Sequence, residues 1–221
     1  MKIVISLGGS LINPGEVNYA FLKDFKRVIK KFPQHKILVV TGGGKIARDY
    51  IDALKDKSKK IRSLIGIGVT KLNAMLISNF LGSNVIVPDS LNDVTRAFSK
   101  NNLVVCGALG YREKMTSDGT AADAARALKA EMLINITNVK GLYNKDPKKF
   151  KDAKFISKIS FRDFLEVTNK IKYKPGQHFV LDQSGAKIIT KHKIKTVILT
   201  GNKNLENCLS GKKFYGTVIS S

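Results

Sequence analysis

Short β-branched runs that end on glycine and hand over to helical patterns recur along this chain, and this alternation limits its fold more than any other feature. Lys2 to Leu7 reads as a buried strand ending at Gly8-Gly9-Ser10, and Lys36 to Val40 as a second ending at Thr41-Gly42-Gly43-Gly44. Between them, Val17 to Lys31 sets Phe21, Phe25, Val28 and Ile29 at helical spacing. Further strands are expected at Val85 to Val87, Leu103 to Cys106, Met132 to Ile136, Thr196 to Leu199 and Thr217 to Ile219. Helices are expected from about Lys45 to Leu54, at Thr70 to Leu81, near Leu91 to Ser99, and at Ala121 to Ala130, Phe161 to Lys170 and Asp182 to His192. The alternation predicts a mainly parallel α/β sheet covered on both faces, with ligands bound where loops leave the carboxyl ends of its strands. The lysine-rich stretch from Asn144 to Lys158 is expected to be a surface excursion or a boundary between two lobes, and Lys172 to Gln177, with Pro175-Gly176, is a second mobile candidate.

With 221 residues, 43% of them hydrophobic, the chain suits one α/β domain or a pair of half-sized lobes around a proper core. The first apolar run stops at Gly8, so no N-terminal apolar signal is read. No stretch approaches the ~18 apolar residues of a membrane span, and a soluble, cytoplasmic protein is expected. Cys106 and Cys208 fit no metal or redox spacing; Cys106, closing Leu103-Val104-Val105, reads as a buried free thiol. His35, His178 and His192 are scattered, which gives a His-based metal site or triad little support. Lys and Arg number 39 against 17 Asp and Glu, a formal net charge of +22. Such a balance attracts anions and promotes non-specific nucleic-acid binding. The lysines are nevertheless dispersed, without interleaved aromatics or an RNA-binding or zinc-finger pattern, so specific nucleic-acid recognition is not expected.

The glycine clusters carry the chemistry. A phosphoryl group needs backbone N–H donors at close range, and glycine at a strand end before a helix supplies bare amides together with the positive end of the helix dipole. Lys45 and Arg48 follow on the first turns of the second helix and can add charge-assisted bonds. A tight strand–helix turn is the alternative for either loop alone; two on consecutive strands fit phosphoryl transfer, where two phosphate groups converge. A Walker A loop fails, because Val39 and Ile46 stand where Gly and Ser or Thr are required. Gly42 to Ala47 matches G-x-G-x-x-A, but no acid lies near Ile61 to Leu64 to hold a ribose.

With the loops placed, the chain resembles the amino-acid kinase superfamily, and within it the archaeal type of uridylate kinase. The segments that carry the resemblance are VISLGGSL at 4–11, VVTGGGKIARDYI at 39–51, IGIGVTKLNAMLI at 65–77, TSDGTAADAARALKAEMLINITNVKGLYNKDPKK at 116–149 and LDQSGAKII at 181–189. The resemblance implies a three-layer αβα sandwich formed by a single amino-acid kinase-like domain over 1–221. Acceptor would bind to the part at about 1–130, and ATP to the part at about 131–221. It also implies ATP-dependent phosphorylation of UMP in pyrimidine nucleotide biosynthesis, Mg²⁺, and a hexamer. By matched motif, Gly9 and Ser10 would cradle the transferring phosphoryl, Gly43 would touch the UMP phosphate, and Gly44 and Arg48 would serve the reacting phosphates. Thr116 and Ser117 match an acceptor-side hydroxyl pair, and Asp118 an acid that orients charged catalytic groups. Thr137, Asn138, Tyr143 and Asp146 match the ATP segment, and Lys187 a lysine that approaches the phosphates, with Asp182 one turn earlier to position it.

Plainer readings stand beside these roles: N-capping for Thr116 and Ser117, a first-turn acid for Asp118, packing for Tyr143, a turn at Asp146-Pro147 and a solvated lysine for Lys187. The chain also departs from the resemblance. Ser6 stands where many superfamily members carry lysine, Ser63 where uridylate kinases of this type place a ribose-binding aspartate, and Lys140 where an acid is common. Leu109-Gly110-Tyr111-Arg112-Glu113-Lys114-Met115 replaces a compact Pro-Gly loop. Two of these departures fall on the acceptor side, so another small phosphate or carboxylate acceptor is the first alternative. Isopentenyl phosphate is the weaker version of it, since no histidine lies near Gly8 or Gly42. A non-catalytic nucleotide-binding or regulatory protein is the alternative outside enzymes.

Overall fold

In β1 (Lys2–Leu7) Ile3, Val4, Ile5 and Leu7 have no exposed surface, the state of a central strand covered on both faces. This is a computed structural model, describing residues 1–113, 115–145, 150–169 and 181–221. From β1 the chain passes through a single turn α1 (Gly9–Ile12), α2 (Tyr19–Lys30), β2 (Lys36–Thr41), α3 (Gly44–Ala53), α4 (Lys59–Leu81), α5 (Leu91–Lys100) and β3 (Leu103–Cys106). It continues with α6 (Ser117–Leu128), β4 (Met132–Ile136), a hairpin of β5 (Leu142–Tyr143) and β6 (Phe155–Ile156), β7 (Lys158–Ser160) and α7 (Phe161–Asn169). α8 (Gln183–Lys191), β8 (Thr196–Leu199), α9 (Asn202–Leu209) and β9 (Gly216–Ser220) complete it. Asn18, Ser58, Ser90, Thr116 and Asp182 cap α2, α4, α5, α6 and α8 with their side-chain oxygens, satisfying N–H groups the first turn leaves unpaired.

The main sheet has seven strands in the order β3-β2-β1-β4-β8-β9-β7. Its pairings are parallel except β8 with β9, and β5 and β6 form a separate antiparallel pair. The expected mainly parallel α/β sandwich is what the chain forms. One core layer packs Ile3, Ile5 and Leu7 against α2, α4 and α9 through residues such as Phe25, Ile77 and Leu205. The opposite layer packs Val4, Leu38 and Val104 against α5, α6, α7 and α8 through Phe98, Ala121, Phe164 and Ile189. Cys106 and Cys208 are buried free thiols, whose pKa values burial pushes up to about 12 and about 11.

The expected strand at Val85 to Val87 is absent: Val85 and Ile86 are 88% and 85% exposed. The residue before them explains why. Asn84 Oδ1 accepts from Val105 N (2.7 Å) and its Nδ2 donates to Val105 O (3.0 Å). One side chain thereby occupies the free edge of β3, so the following β-branched run finds no ladder to join. α4 begins at Lys59, well before the expected Thr70, because Ser58 caps it and tertiary packing overrides the helix cost of Gly66 and Gly68. It is the one helix among the described residues long and apolar enough to cross a membrane, by length and composition alone. Here Val69, Ala74, Ile77 and Leu81 are buried, while Ile61, Leu64, Leu72 and Met75 lie exposed. The helix α9 and the short strands β5, β6 and β7 were not expected.

If Asn84 closes the sheet edge, Asn84→Ala leaves the buried Val105 amide and carbonyl without these partners. Urea unfolding should show a loss of about 1–3 kcal/mol at unchanged slope; an unmoved midpoint would show that the edge needs no side-chain closure.

Candidate active site

The glycine turns after β1 and β2 lie against each other. Gly8 N donates to Ile136 O at the end of β4, and Gly42 N donates to Leu7 O at the end of β1, both at 2.9 Å. A Cβ placed on Gly9 would fall 2.0 Å from Gly44 N and 2.6 Å from the carbonyl carbons of Gly42 and Gly43. No side chain fits there, so this contact of backbone with backbone exists only because both partners are glycine. Gly44 adopts φ +71°, and a Cβ on it would meet Gly9 O at 2.5 Å. Ser10 belongs to α1, and Gly43 and Gly44 open α3, so helix N-termini and bare amides converge at the carboxyl ends of β1 and β2, the arrangement that suits an anion.

α4 braces this edge from behind. Asn73 Nδ2 donates to Gly42 O (2.7 Å), Thr41 Oγ1 donates to Thr70 O (2.8 Å), and Thr70 Oγ1 accepts from Ala108 N (2.9 Å). Asn13 O accepts from Lys45 N (3.3 Å), tying the first turn to the start of α3. Thr70, Asn73 and Asn13 were not singled out from the sequence. For Thr70 and Asn73 the available signal was two polar residues one turn apart within the apolar half of α4, both of them buried.

Beneath the turns lies an acidic network. The two-residue period of β1 turns Val4 and Ser6 toward α6, and Ser6 Oγ donates to Asp118 Oδ1 at 2.7 Å. Asn135, paired in register with Ser6, donates to the same oxygen at 3.4 Å. Thr116 Oγ1 accepts from Asp118 N (3.2 Å) and Gly119 N (3.4 Å) as the N-cap of α6, and donates to Asp182 Oδ2. Asp182 in turn caps α8, accepting from Gly185 N at 2.7 Å and from Ser184 Oγ. Burial, and then the negative charge of Asp182, push the Asp118 pKa up to about 7, against the opposing hydrogen bond from Ser6. Asp118 remains partly exposed at this edge.

Of the other expected residues, Thr137 follows β4, its N–H donating to Leu199 O at 3.0 Å, and it stands next to Asn138 at the carboxyl edge. Tyr143 sits in β5, edge-on to Phe155 with centroids 5.5 Å apart, and Phe155 stacks on Tyr215 at 4.7 Å. Arg48 is half-buried on α3, and Ser117 half-buried in the first turn of α6. Ser63 and Lys187 are exposed on α4 and α8. Asp182 engages Thr116, Ser184 and Gly185 and not Lys187, so the expected positioning of that lysine by Asp182 is not seen. Asp146 and the Lys172 to Gln177 stretch lie outside the described residues.

Compared with known proteins, the chain matches the amino acid kinase family over residues 1–200. It is 34% identical over 226 residues to a uridylate kinase of Methanococcus aeolicus, covering 100% of each chain. The crystal structure of uridylate kinase from Archaeoglobus fulgidus superposes on it with a TM-score of 0.86 at 34% identity, over 100% of both chains. The UMP kinase of Ureaplasma parvum gives a TM-score of 0.82 at 22% identity, over 100% of this chain and 99% of that one, a likeness of fold alone.

A carboxyl with a raised folded pKa holds a proton that the unfolded chain releases. Its contribution to stability is whole below the ordinary value of 3.8 and is lost as pH rises through about 7. The thermal midpoint of the wild-type chain should therefore fall relative to that of Asp118→Asn as pH is raised from 4 to 8. Parallel midpoint curves for the two proteins would show that Asp118 ionises normally.

Proposed function

The chain belongs to the amino acid kinase family, and from that premise we propose that it transfers the γ-phosphoryl group of ATP to UMP, giving ADP and UDP. The observation that carries this reading is the contact between the Gly8–Ser10 and Gly42–Gly44 turns, at an edge shared with the acidic first turn of α6. Full-length likeness to the uridylate kinases of M. aeolicus and A. fulgidus supports UMP as the acceptor. The step belongs to pyrimidine nucleotide biosynthesis, and a cytoplasmic enzyme is proposed with it.

In the reaction an oxygen of the UMP phosphate attacks the γ-phosphorus, and the bond to the β–γ bridging oxygen breaks, leaving ADP. Little covalent work falls to the protein; it positions two anions in line and disperses their charge. The residues assigned to this are Gly9 and Ser10 on the transferring group, Gly43 on the UMP phosphate, and Gly44 and Arg48 on the reacting phosphates. Thr116, Ser117 and Ser63 serve the acceptor, while Thr137, Asn138, Tyr143 and Asp146 serve ATP. Lys187 supplies charge, and Asp118 orients the charged groups. The acceptor part is taken as about 1–130 and the ATP part as about 131–221.

Mg²⁺ fits this donor set as an ion carried largely by the nucleotide. Among the described residues there is no cluster of three or more His, Cys, Asp or Glu, whereas Mg²⁺ in such sites needs only one or two carboxylates besides phosphates and water. Asp118, at the edge shared with the glycine turns, is the carboxylate that would hold it. Bound there, the ion neutralises charge on the phosphates. A homo-oligomer, a hexamer by resemblance, is proposed as well, and the exposed apolar Ile61, Leu64, Leu72 and Met75 of α4 support burial against a second copy. A monomer in light scattering would remove that part.

Release of ADP should be followed with Mg²⁺–ATP across UMP, CMP, dTMP and simple phosphates and carboxylates. UMP is expected to turn over fastest; turnover of another acceptor with none of UMP would transfer the reading to that acceptor, which the neutral, exposed Ser63 favours. Asp118→Asn should lower kcat by roughly 100-fold with the fold intact, and an unchanged kcat would remove Asp118 from the machinery. ATP binding with no transfer to any acceptor would mark a non-catalytic nucleotide-binding protein.

A further inference from the structure

Asp123 lies in the middle of α6 among Ala121, Ala122, Ala124 and Ala125, and is itself only 5% exposed. A carboxylate on such a face is costly unless paired, and two arginines pair it. Arg126, one turn on in the same helix, reaches Oδ1 with Nη2 at 2.7 Å and Nε at 2.9 Å. Arg112 reaches Oδ2 with Nη1 at 2.8 Å from outside the helix, in the segment between β3 and α6. Burial works against the charged form, but Arg126 and Arg112 outweigh it and hold the Asp123 pKa below the ordinary value, so the pair persists.

The 107–116 segment is tied at both ends. At its start Ala108 N donates to Thr70 Oγ1, and Gly107 lies against the Thr70–Lys71 backbone. At its end Thr116 caps α6 and bonds Asp182. The middle is open by comparison: Gly110, at φ +72°, has nothing within 4 Å of where a Cβ would stand, and Arg112 and Glu113 are exposed. Ala108 and Leu109 are buried, Leu109 in the core layer beside α6, so the least packed part of the segment is 110–113, and stretches with few packed contacts open readily. The bond from Arg112 to Asp123 is the charged tether at that point.

We propose that the Arg112–Asp123 ion pair is a positioning device that holds the 107–116 segment in the shape that receives the phosphorylated acceptor. Both residues act through the segment and touch no substrate. The inference rests on the acceptor reading given above, because this segment delivers Thr116 and Ser117.

Arg126 supplies the matched control, since it neutralises the same carboxylate without reaching the segment. Arg112→Gln should raise KM for UMP roughly fivefold while kcat and KM for ATP stay within about twofold; Arg112→Lys should recover part of the loss. Hydrogen exchange over 107–116 in the ligand-free protein should quicken in Arg112→Gln. Arg126→Gln should leave both KM for UMP and that exchange where they were. Equal shifts in the two glutamine variants would reduce the cluster to charge compensation of Asp123, and no shift in Arg112→Gln would end the proposal. A wild-type chain inert toward UMP overturns the acceptor reading instead, and the exchange comparison then still decides the tether.

Discussion

The close approach of Gly9 to Gly44 is the contact on which the rest of the site depends. Backbone meets backbone there at distances that admit no Cβ on either partner, and the two turns can meet only because β1 and β2 are adjacent, parallel and in register from Lys2–Lys36 to Leu7–Thr41. Parallel pairing brings both carboxyl ends to one edge of the sheet; crossover connections supply a helix start after each. Amides bared by glycine, two helix N-termini and a shared edge are therefore consequences of one topological fact. The buried polar groups of α4 follow from it too: a carbonyl such as Gly42 O, turned inward by the tight bend, needs a donor, and Asn73 provides it.

The same sheet explains the acid beneath. Period-two alternation aims Ser6 at α6, and register pairs Ser6 with Asn135 of β4, so two neutral donors converge on Asp118. Neutral donors stabilise a carboxylate less than a cation does, and burial with Asp182 nearby works against the charge. The result is an acid whose pKa is pushed up to about 7, in the first turn of a helix. Thr116 is both the cap of α6 and the donor to Asp182, and that double duty links the acid-bearing turn of α6 to α8.

How much of this was legible in the sequence follows from the range of the interactions involved. The bounds of β1, β3, β4 and β8 could be read as found, because short apolar runs rich in Val, Ile and Leu are local signals. Val85 to Val87 carries the same local signal and forms no strand, since pairing depends on the edge of β3, which Asn84 had already filled. α4 was read short because Gly66 and Gly68 weaken helix propensity locally, while the packing that overrides them comes from elsewhere in the chain. The glycine turns and the Thr116–Asp118 segment were visible as motifs. Their bracing by Thr70 and Asn73, and the pairing of Arg112 with Asp123, join residues far apart in sequence and leave no periodic trace.

Charge is the remaining demand of phosphoryl transfer, and Lys45, Arg48 and Lys187 are the side chains proposed to meet it. Lys45 follows the second glycine turn, but its Nζ lies 2.6 Å from Asp49 Oδ2 in a pair whose side chains are about half exposed, an arrangement worth little and readily exchanged for a better anion. Arg48 stands one turn further along α3, half-buried, and among the described residues it makes no ion pair. A guanidinium in that position needs no partner exchanged before it can meet a phosphate, and its fork geometry suits one. Lys187 makes no ion pair among the described residues either, but it is exposed on α8. Proximity along the helix that opens at Gly44, partial burial and the lack of a carboxylate partner among the described residues support Arg48 in the role proposed for it, with helix amides supplying the remainder. The net charge of +22 adds a background field that draws anions to the molecule and does not choose among these three residues.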